Sequence, residues 1–245
     1  MEGDFQIALN GNDRFPMASV YKIPIAAYAL KLSETHLLDF DRMVYLMPED
    51  LRMGSGIIAS RFTLPGVSLS LKNLMRLMIE DSDNTATDLI LNLCGGPKKV
   101  SEFLDQRGIT GMRVDDTILE YFKNYESPSY QPDNDTTTPQ AMVNLLIALQ
   151  RGQIITHDSF EFLFECMKRC RTGLNRIKAG LPTTAILGQK TGTMPGITND
   201  VGIIQMPKGQ GFLMIAIFIK ESKSAVSERE HMIAQITRYI YNRII

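Results

Sequence analysis

Ser19 and Lys22 stand three residues apart in Ser19-Val20-Tyr21-Lys22, a step that puts a hydroxyl and an amine on one face of a helix. A hydroxyl is a poor nucleophile until a neighbouring base takes its proton, and a lysine is such a base only when its pKa falls. Burial and a second ammonium nearby both lower it. Two further triplets supply partners. Ser82-Asp83-Asn84 offers a second hydroxyl and a side-chain amide, and Lys190-Thr191-Gly192 offers the second ammonium. Average residue usage predicts about one S-x-x-K in any chain of this size, and each of the other two triplets in about a few chains per hundred. All three in this order weigh far more than any one.

Each motif also has a plainer reading. Ser19 alone reads equally well as an N-cap, and Lys22 as a surface lysine with its stem on apolar neighbours. That reading weakens because Ser19 to Leu32 is apolar nearly all round, which suits a helix buried on every side. Ser82 reads as an N-cap between two helices or as a proton relay, with Asn84 holding a substrate carbonyl. Lys190-Thr191-Gly192-Thr193 is expected at the end of a strand. There Gly192 admits a close backbone, and the Thr193 N–H pairs with the Ser19 N–H as an oxyanion hole.

The elements that must position these groups follow from periodicity and turn signals. Phe5 to Leu9 reads as a short strand, stopped by Asn10-Gly11-Asn12. Pro24 belongs in the first turns of its helix, since it has no N–H to donate further in. Leu71 to Glu80, Thr85 to Leu93, Pro97 to Arg107, Pro139 to Gln150 and Ser159 to Arg169 read as helices. Ile109 to Thr138 is long, polar and weakly periodic, which marks a functional or flexible segment. Thr184 to Gln189, Asn199 to Gln205 and Phe212 to Ile219 read as strands, and Ser227 to Ile244 as a closing helix. The fold class is therefore α+β. An antiparallel sheet built from both termini, residues 1–17 and 175–245, carries an inserted all-helical domain, residues 18–174, and the seam between them favours a pocket.

Composition excludes several other functions. The chain has 245 residues, 44% apolar and 22% charged, with a formal net charge of -1. This is ordinary globular composition, with no broad electrostatic footprint for nucleic acid or an anionic membrane. The longest apolar run, Phe212 to Ile219, has strand length and is too short to span a bilayer. Three cysteines make no disulfide framework, and Cys166 and Cys170 read as structural thiols on one helix. Met1-Glu2-Gly3-Asp4 has no basic region leading into an apolar one, so a cytoplasmic protein, or a mature or trimmed form, is expected. His36, His157 and His231 are isolated and show no metal-ligand spacing. Gly188-Gln189-Lys190-Thr191 departs from a phosphate loop, which needs glycine directly before lysine, and no G-x-S-x-G is present.

The chain resembles the serine penicillin-recognising enzymes, specifically the class A β-lactamases and their penicillin-binding relatives. Besides the three motifs, the likeness rests on Arg14-Phe15-Pro16-Met17-Ala18, Leu51-Arg52-Met53-Gly54-Ser55-Gly56, Asp83-Asn84-Thr85-Ala86-Thr87-Asp88, Asp135-Thr136-Thr137-Thr138-Pro139, Ala179-Gly180-Leu181-Pro182 and Thr198-Asn199-Asp200. The resemblance implies that Ser19 is the acylated nucleophile, Lys22 its base, and Ser82 the shuttle to the ring nitrogen. It places Asn84 on the substrate's amide, and Lys190, Thr191 and Thr193 around its carboxylate. It implies a β-lactam or a D-Ala-D-Ala peptide as ligand, no cofactor or metal, a monomer, and a periplasmic or secreted location; the alternatives to a β-lactam hydrolase are a D,D-peptidase or a non-catalytic module on the same fold.

Two departures stand out. Class A enzymes carry a loop glutamate that activates the deacylating water. Counting from Ser82-Asp83-Asn84 places Ile118 there, and counting back from Asp135-Thr136-Thr137 places Phe122. Neither is acidic, and Glu120 and Glu126 are the nearby candidates. Slow deacylation is expected, or an unusual base. The chain also begins late relative to the family, so an exposed apolar face, a trimmed chain or a covering partner is expected. The family's carboxylate-binding arginine falls near Arg229.

Overall fold

The structure is a computed structural model that describes residues 6–62, 66–124 and 134–244. In chain order it has β1 (Phe15–Pro16), a 3-10 turn (Ala18–Tyr21), α1 (Lys22–Glu34), β2 (Met43–Tyr45), α2 (Ile58–Arg61), β3 (Ser68–Ser70), α3 (Leu71–Glu80), α4 (Asn84–Leu93), α5 (Pro97–Gln106), α6 (Ile118–Asn124), β4 (Thr136–Thr137), α7 (Pro139–Gln150), α8 (His157–Lys168), α9 (Ile177–Gly180), β5 (Ile186–Met194), β6 (Ile197–Gln205), β7 (Phe212–Ile219) and α10 (Val226–Ile244). The architecture is α+β, with antiparallel pairing throughout the described strands.

Helix α1 forms the axis of the core. Ile23, Ile25, Ala26, Ala27 and Ala29 are fully buried, as an all-round apolar helix requires. Pro24 is its third residue, where no N–H is owed to the helix. Capping fixes several of the surrounding helices. Ser70, Asp83, Thr138 and Thr156 each accept a backbone N–H at the start of α3, α4, α7 and α8. The main sheet runs β5-β6-β7, with Lys190 opposite Val201 and Gly192 opposite Asn199. A second, smaller core of Ile177, Ile204, Ile215, Ile233 and Tyr241 lies beneath α10.

Two expectations change. Residues 6–9 form no strand, Phe5 lies outside the described residues, and among the described residues the strands β5, β6 and β7 of the main sheet come from the C-terminal part. Ile7 and Leu9 are both exposed, so nothing buries one face of the segment and fixes a pairing register. The N-terminal part instead contributes β1, which pairs with β4 in a separate ladder. Lys190 also lies mid-strand rather than at a strand end, because β5 continues to Met194 before turning at Pro195-Gly196. Cys94, Cys166 and Cys170 are free and buried, and burial pushes the Cys94 and Cys166 thiols up to about 12. Cys170 falls just beyond the end of α8. Met232, Ile236 and Tyr239 form an exposed apolar stripe on α10. No helix among the described residues is long and apolar enough to cross a membrane.

Candidate active site

The 3-10 turn carries Ser19 at the entrance to α1. Ala18 just before it has φ 46°, in the left-handed region that a residue with a Cβ adopts only when its surroundings impose it. Lys22 follows as the first residue of α1 and is fully buried. Its Nζ donates to the Ser82 carbonyl at 2.6 Å, to Ser82 Oγ at 3.2 Å and to Asn84 Oδ1 at 2.8 Å. Lys190, also fully buried, comes from the middle of β5 and donates to Ser82 Oγ at 2.9 Å and to the Thr191 carbonyl at 3.1 Å. One hydroxyl thus joins two lysines from opposite ends of the chain.

The local sequence frees that hydroxyl. Ser82 sits between α3 and α4 at φ 56°. Asp83, not Ser82, caps α4, with Oδ1 accepting from Ala86 N at 2.9 Å. Its Oδ2 accepts from the Ile57 and Ile58 amides, which ties α2 to the same point. Asn84 donates from Nδ2 to the Met53 carbonyl at 2.9 Å, and a primary amide carries a second N–H.

Burial without a carboxylate partner gives the lysines their character. Burial first, and then the Lys190 ammonium, hold Lys22 well below the usual lysine range. Burial lowers Lys190 to about 8. Neither amine snorkels to water.

Gly192 lets β5 press onto the Ser19 turn. A Cβ there would lie 2.5 Å from the Met17 carbonyl oxygen and 3.1 Å from Ser19 N. Thr193 is exposed and accepts from Arg176 Nη2 at 2.7 Å. Arg176 is 4% exposed and also donates to the Gly192 and Asn199 carbonyls and to Glu230. Sequence reasoning missed it, because no motif marks it. Ser19, Asn84, Thr193 and Met194 share a cavity of about 230 Å³ with Tyr21, Ile118, Tyr121, Phe122 and Asp135. Thr191 and Gly192 are buried behind that wall, and the Thr191 hydroxyl is bonded to that of Thr172.

Known proteins resemble this chain in sequence and fold. A family profile described as the β-lactamase enzyme family matches residues 1–244. The chain belongs to that family. It is 30% identical to β-lactamase VEB-1 of Pseudomonas aeruginosa over 96% of this chain and 80% of the relative. It is 31% identical to a Proteus vulgaris β-lactamase over 99% of this chain and 79% of that one. A crystal structure of a β-lactamase from Chitinophaga pinensis superposes with TM-score 0.90 at 29% identity, covering 98% of this chain and 89% of the other. The reconstructed last common ancestor of Gram-negative class A β-lactamases superposes at 0.88, with 30% identity and 98% and 88% coverage. The class A resemblance read from the motifs thus holds over the whole chain.

Within this β-lactamase family member the expected departures take physical form. Ile118 and Phe122 both line the cavity, so either count along the loop ends on an apolar side chain. Glu120 is exposed and turned back on its own helix. Its Oε2 accepts from Thr117 N and from the Thr117 hydroxyl, both at 2.8 Å, and the Thr117 Oγ1 accepts from Glu120 N, a capping box. Glu126 lies outside the described residues. Arg229 does not reach the cavity wall. It donates to Thr198 Oγ1 and to the Ser222 and Ser224 carbonyls, bracing the entry to α10, while Arg176 holds the guanidinium nearest Thr193.

Proposed function

We propose that the protein is a serine hydrolase that opens β-lactam rings through an acyl-enzyme on Ser19. The observation that carries this reading is the Ser82 hydroxyl held between two buried lysines, one of them three residues from Ser19. A buried lysine with a depressed pKa takes a serine proton near neutral pH, which an exposed lysine does not. Lys22 is then the base that frees Ser19 Oγ to attack the lactam carbonyl. The proton passes from Lys22 through Ser82 Oγ to the ring nitrogen as the C–N bond breaks. The Ser19 and Thr193 amides hold the developing oxyanion. Asn84 holds the side-chain amide of the substrate, and Lys190 faces its carboxylate, with Thr191, Gly192 and Thr193 shaping that end of the site.

The half of the reaction that needs an activated water is less well served. The segment where the family carries a glutamate presents Ile118, Tyr121 and Phe122 to the cavity, and Glu120 is spent on Thr117. The acyl-enzyme is therefore longer lived than it is in an enzyme with that glutamate. The same observation favours a second reading, a penicillin-binding D,D-peptidase that acts on D-Ala-D-Ala stem peptides and is trapped by β-lactams. We also infer a division into a sheet unit (1–17 and 175–245) and a helical unit (18–174), acting as a monomer outside the cytoplasm, periplasmic or secreted, as the family implies. Rates of hydrolysis of a chromogenic cephalosporin and of a D-Ala-D-Ala peptide, compared between wild type and Ser19→Ala, test the reading. The first is expected to exceed the second and to vanish in the variant. A preference for the peptide selects the second reading.

A further inference from the structure

With the expected glutamate position apolar and Glu120 committed to capping, the described cavity wall still holds one acidic side chain, that of Asp135. We propose that Asp135 is the general base of deacylation, taking a proton from the water that attacks the Ser19 ester, and that the Tyr21 hydroxyl positions that water. The inference rests on the acyl-enzyme reading above.

Asp135 is tethered to the nucleophile's turn. Its carbonyl accepts from Met17 N at 2.9 Å, two residues before Ser19. The backbone sits at φ 50°, a left-handed value that Asp tolerates, at the point where the loop rejoins β4. One carboxyl oxygen is occupied, since Oδ1 accepts from Asp115 N at 2.8 Å and from Asp116 N at 3.4 Å. Oδ2 has no hydrogen-bond partner among the described residues, so it is the oxygen left to take a proton.

Tyr21 supplies a second, independent sign of a polar ligand. It is 4% exposed, sits in the same wall, and its hydroxyl has no hydrogen-bond partner among the described residues. A buried hydroxyl left unpaired costs on the order of 1–3 kcal/mol, and a water shared with the carboxylate relieves that cost.

The surroundings tune the group for the task. Burial raises the Asp135 carboxyl to about 7, with the Asp116 and Asp115 carboxylates pushing the same way against the two backbone N–H groups. Arg113 is paired with Asp115 at 2.6 Å, Asn134 donates to Asp116 at 2.9 Å, and Arg14 donates to Thr136 at 3.0 Å. Among the described residues, neither arginine nor the Asn134 amide donates a hydrogen bond to the Asp135 carboxyl. A base poised near the working pH is the most effective kind.

The step balances. A water O–H bond breaks, its proton goes to Asp135 Oδ2, and its oxygen bonds to the acyl carbonyl carbon. As the tetrahedral intermediate collapses, the carbon–Oγ bond breaks and the proton returns from Asp135 through the cavity to Ser19 Oγ. The product acid ionises in solvent.

Intact-mass spectrometry after a pulse of penicillin, followed from pH 5 to 9, tests the proposal. In the wild type the decay rate of the Ser19 adduct is expected to rise with pH through about 7 and then level off. In Asp135→Asn, which keeps the Oδ1 acceptor, the adduct is expected to form and then decay about 10²-fold more slowly, with no such pH dependence. Tyr21→Phe is expected to slow decay several-fold while keeping the pH profile. Glu120→Gln is expected to leave decay unchanged. Wild-type decay kinetics in Asp135→Asn, or a comparable loss in Glu126→Gln with Asp135→Asn unaffected, overturns the proposal. Should Asp135→Asn fail to fold, a wild-type decay rate that is flat with pH and unmoved by Tyr21→Phe overturns it as well. A wild type that forms no adduct at all defeats the acyl-enzyme reading itself.

Discussion

The two walls of the cavity are built on different principles. Behind one wall Lys22, Ser82 and Lys190 are buried and cross-bonded to one another and to Asn84, the member of the set that lines the cavity. On the other, α6 presents Ile118, Tyr121 and Phe122, and its one acid, Glu120, serves as a cap. Preorganised polar networks are costly to assemble and effective once assembled, because no reorganisation is needed when charge develops. The first wall has the form of a site for making an ester on Ser19. The second offers little for breaking it beyond a single aspartate.

The largest effect expected on this contrast comes from Ser19→Ala. Loss of the nucleophile should lower β-lactam opening by at least about 10³-fold and remove the covalent adduct, as measured by steady-state hydrolysis and mass spectrometry. Lys22→Ala should follow, with acylation slowed by about 10²–10⁴-fold. Lys190→Ala bears on the electrostatic part of the same wall. Its ammonium helps depress Lys22, so removing it lets the Lys22 pKa climb. Lys22 acts as a base only when neutral, so the acid limb of the acylation rate should move to higher pH in a stopped-flow profile. Gly192→Ala tests the packing that holds the wall together. The added methyl meets the Met17 carbonyl at 2.5 Å, and thermal or urea unfolding should show a loss of about 1–3 kcal/mol, with slower acylation. The smallest effect belongs to the opposite wall. Glu120→Gln weakens a cap and should lower stability by about 0.5 kcal/mol or less, leaving β-lactam turnover unchanged.

Legibility in the sequence followed the same divide. The polar wall was readable because three short motifs carry it, and because an apolar helix such as α1 makes an idle lysine implausible. Helices with clear periodicity or caps were readable to within a residue or two, among them α3, α5 and α7. What escaped was set by tertiary contact. Arg176 has no local signature, and its role comes from bonds to β5 and β6 that only the folded chain brings within reach. The capping role of Asp83 hides inside a triplet whose first residue looked like the cap. Short elements such as α2, α9 and the β2–β3 ladder carry too few residues for a period to register. The capping box Thr117–Glu120 was legible as T-x-x-E, and would have removed Glu120 from the candidate bases.

The central claim is that Ser19 becomes covalently acylated through the two buried lysines. Peptide-level mass spectrometry of the full chain after exposure to penicillin tests it most directly. The expected result is a single adduct with the mass of the intact drug, located on Ser19, that forms at least about 10²-fold more slowly in Lys22→Ala than in wild type. An adduct on another residue, or one that forms on Ser19 equally fast without Lys22, contradicts the account.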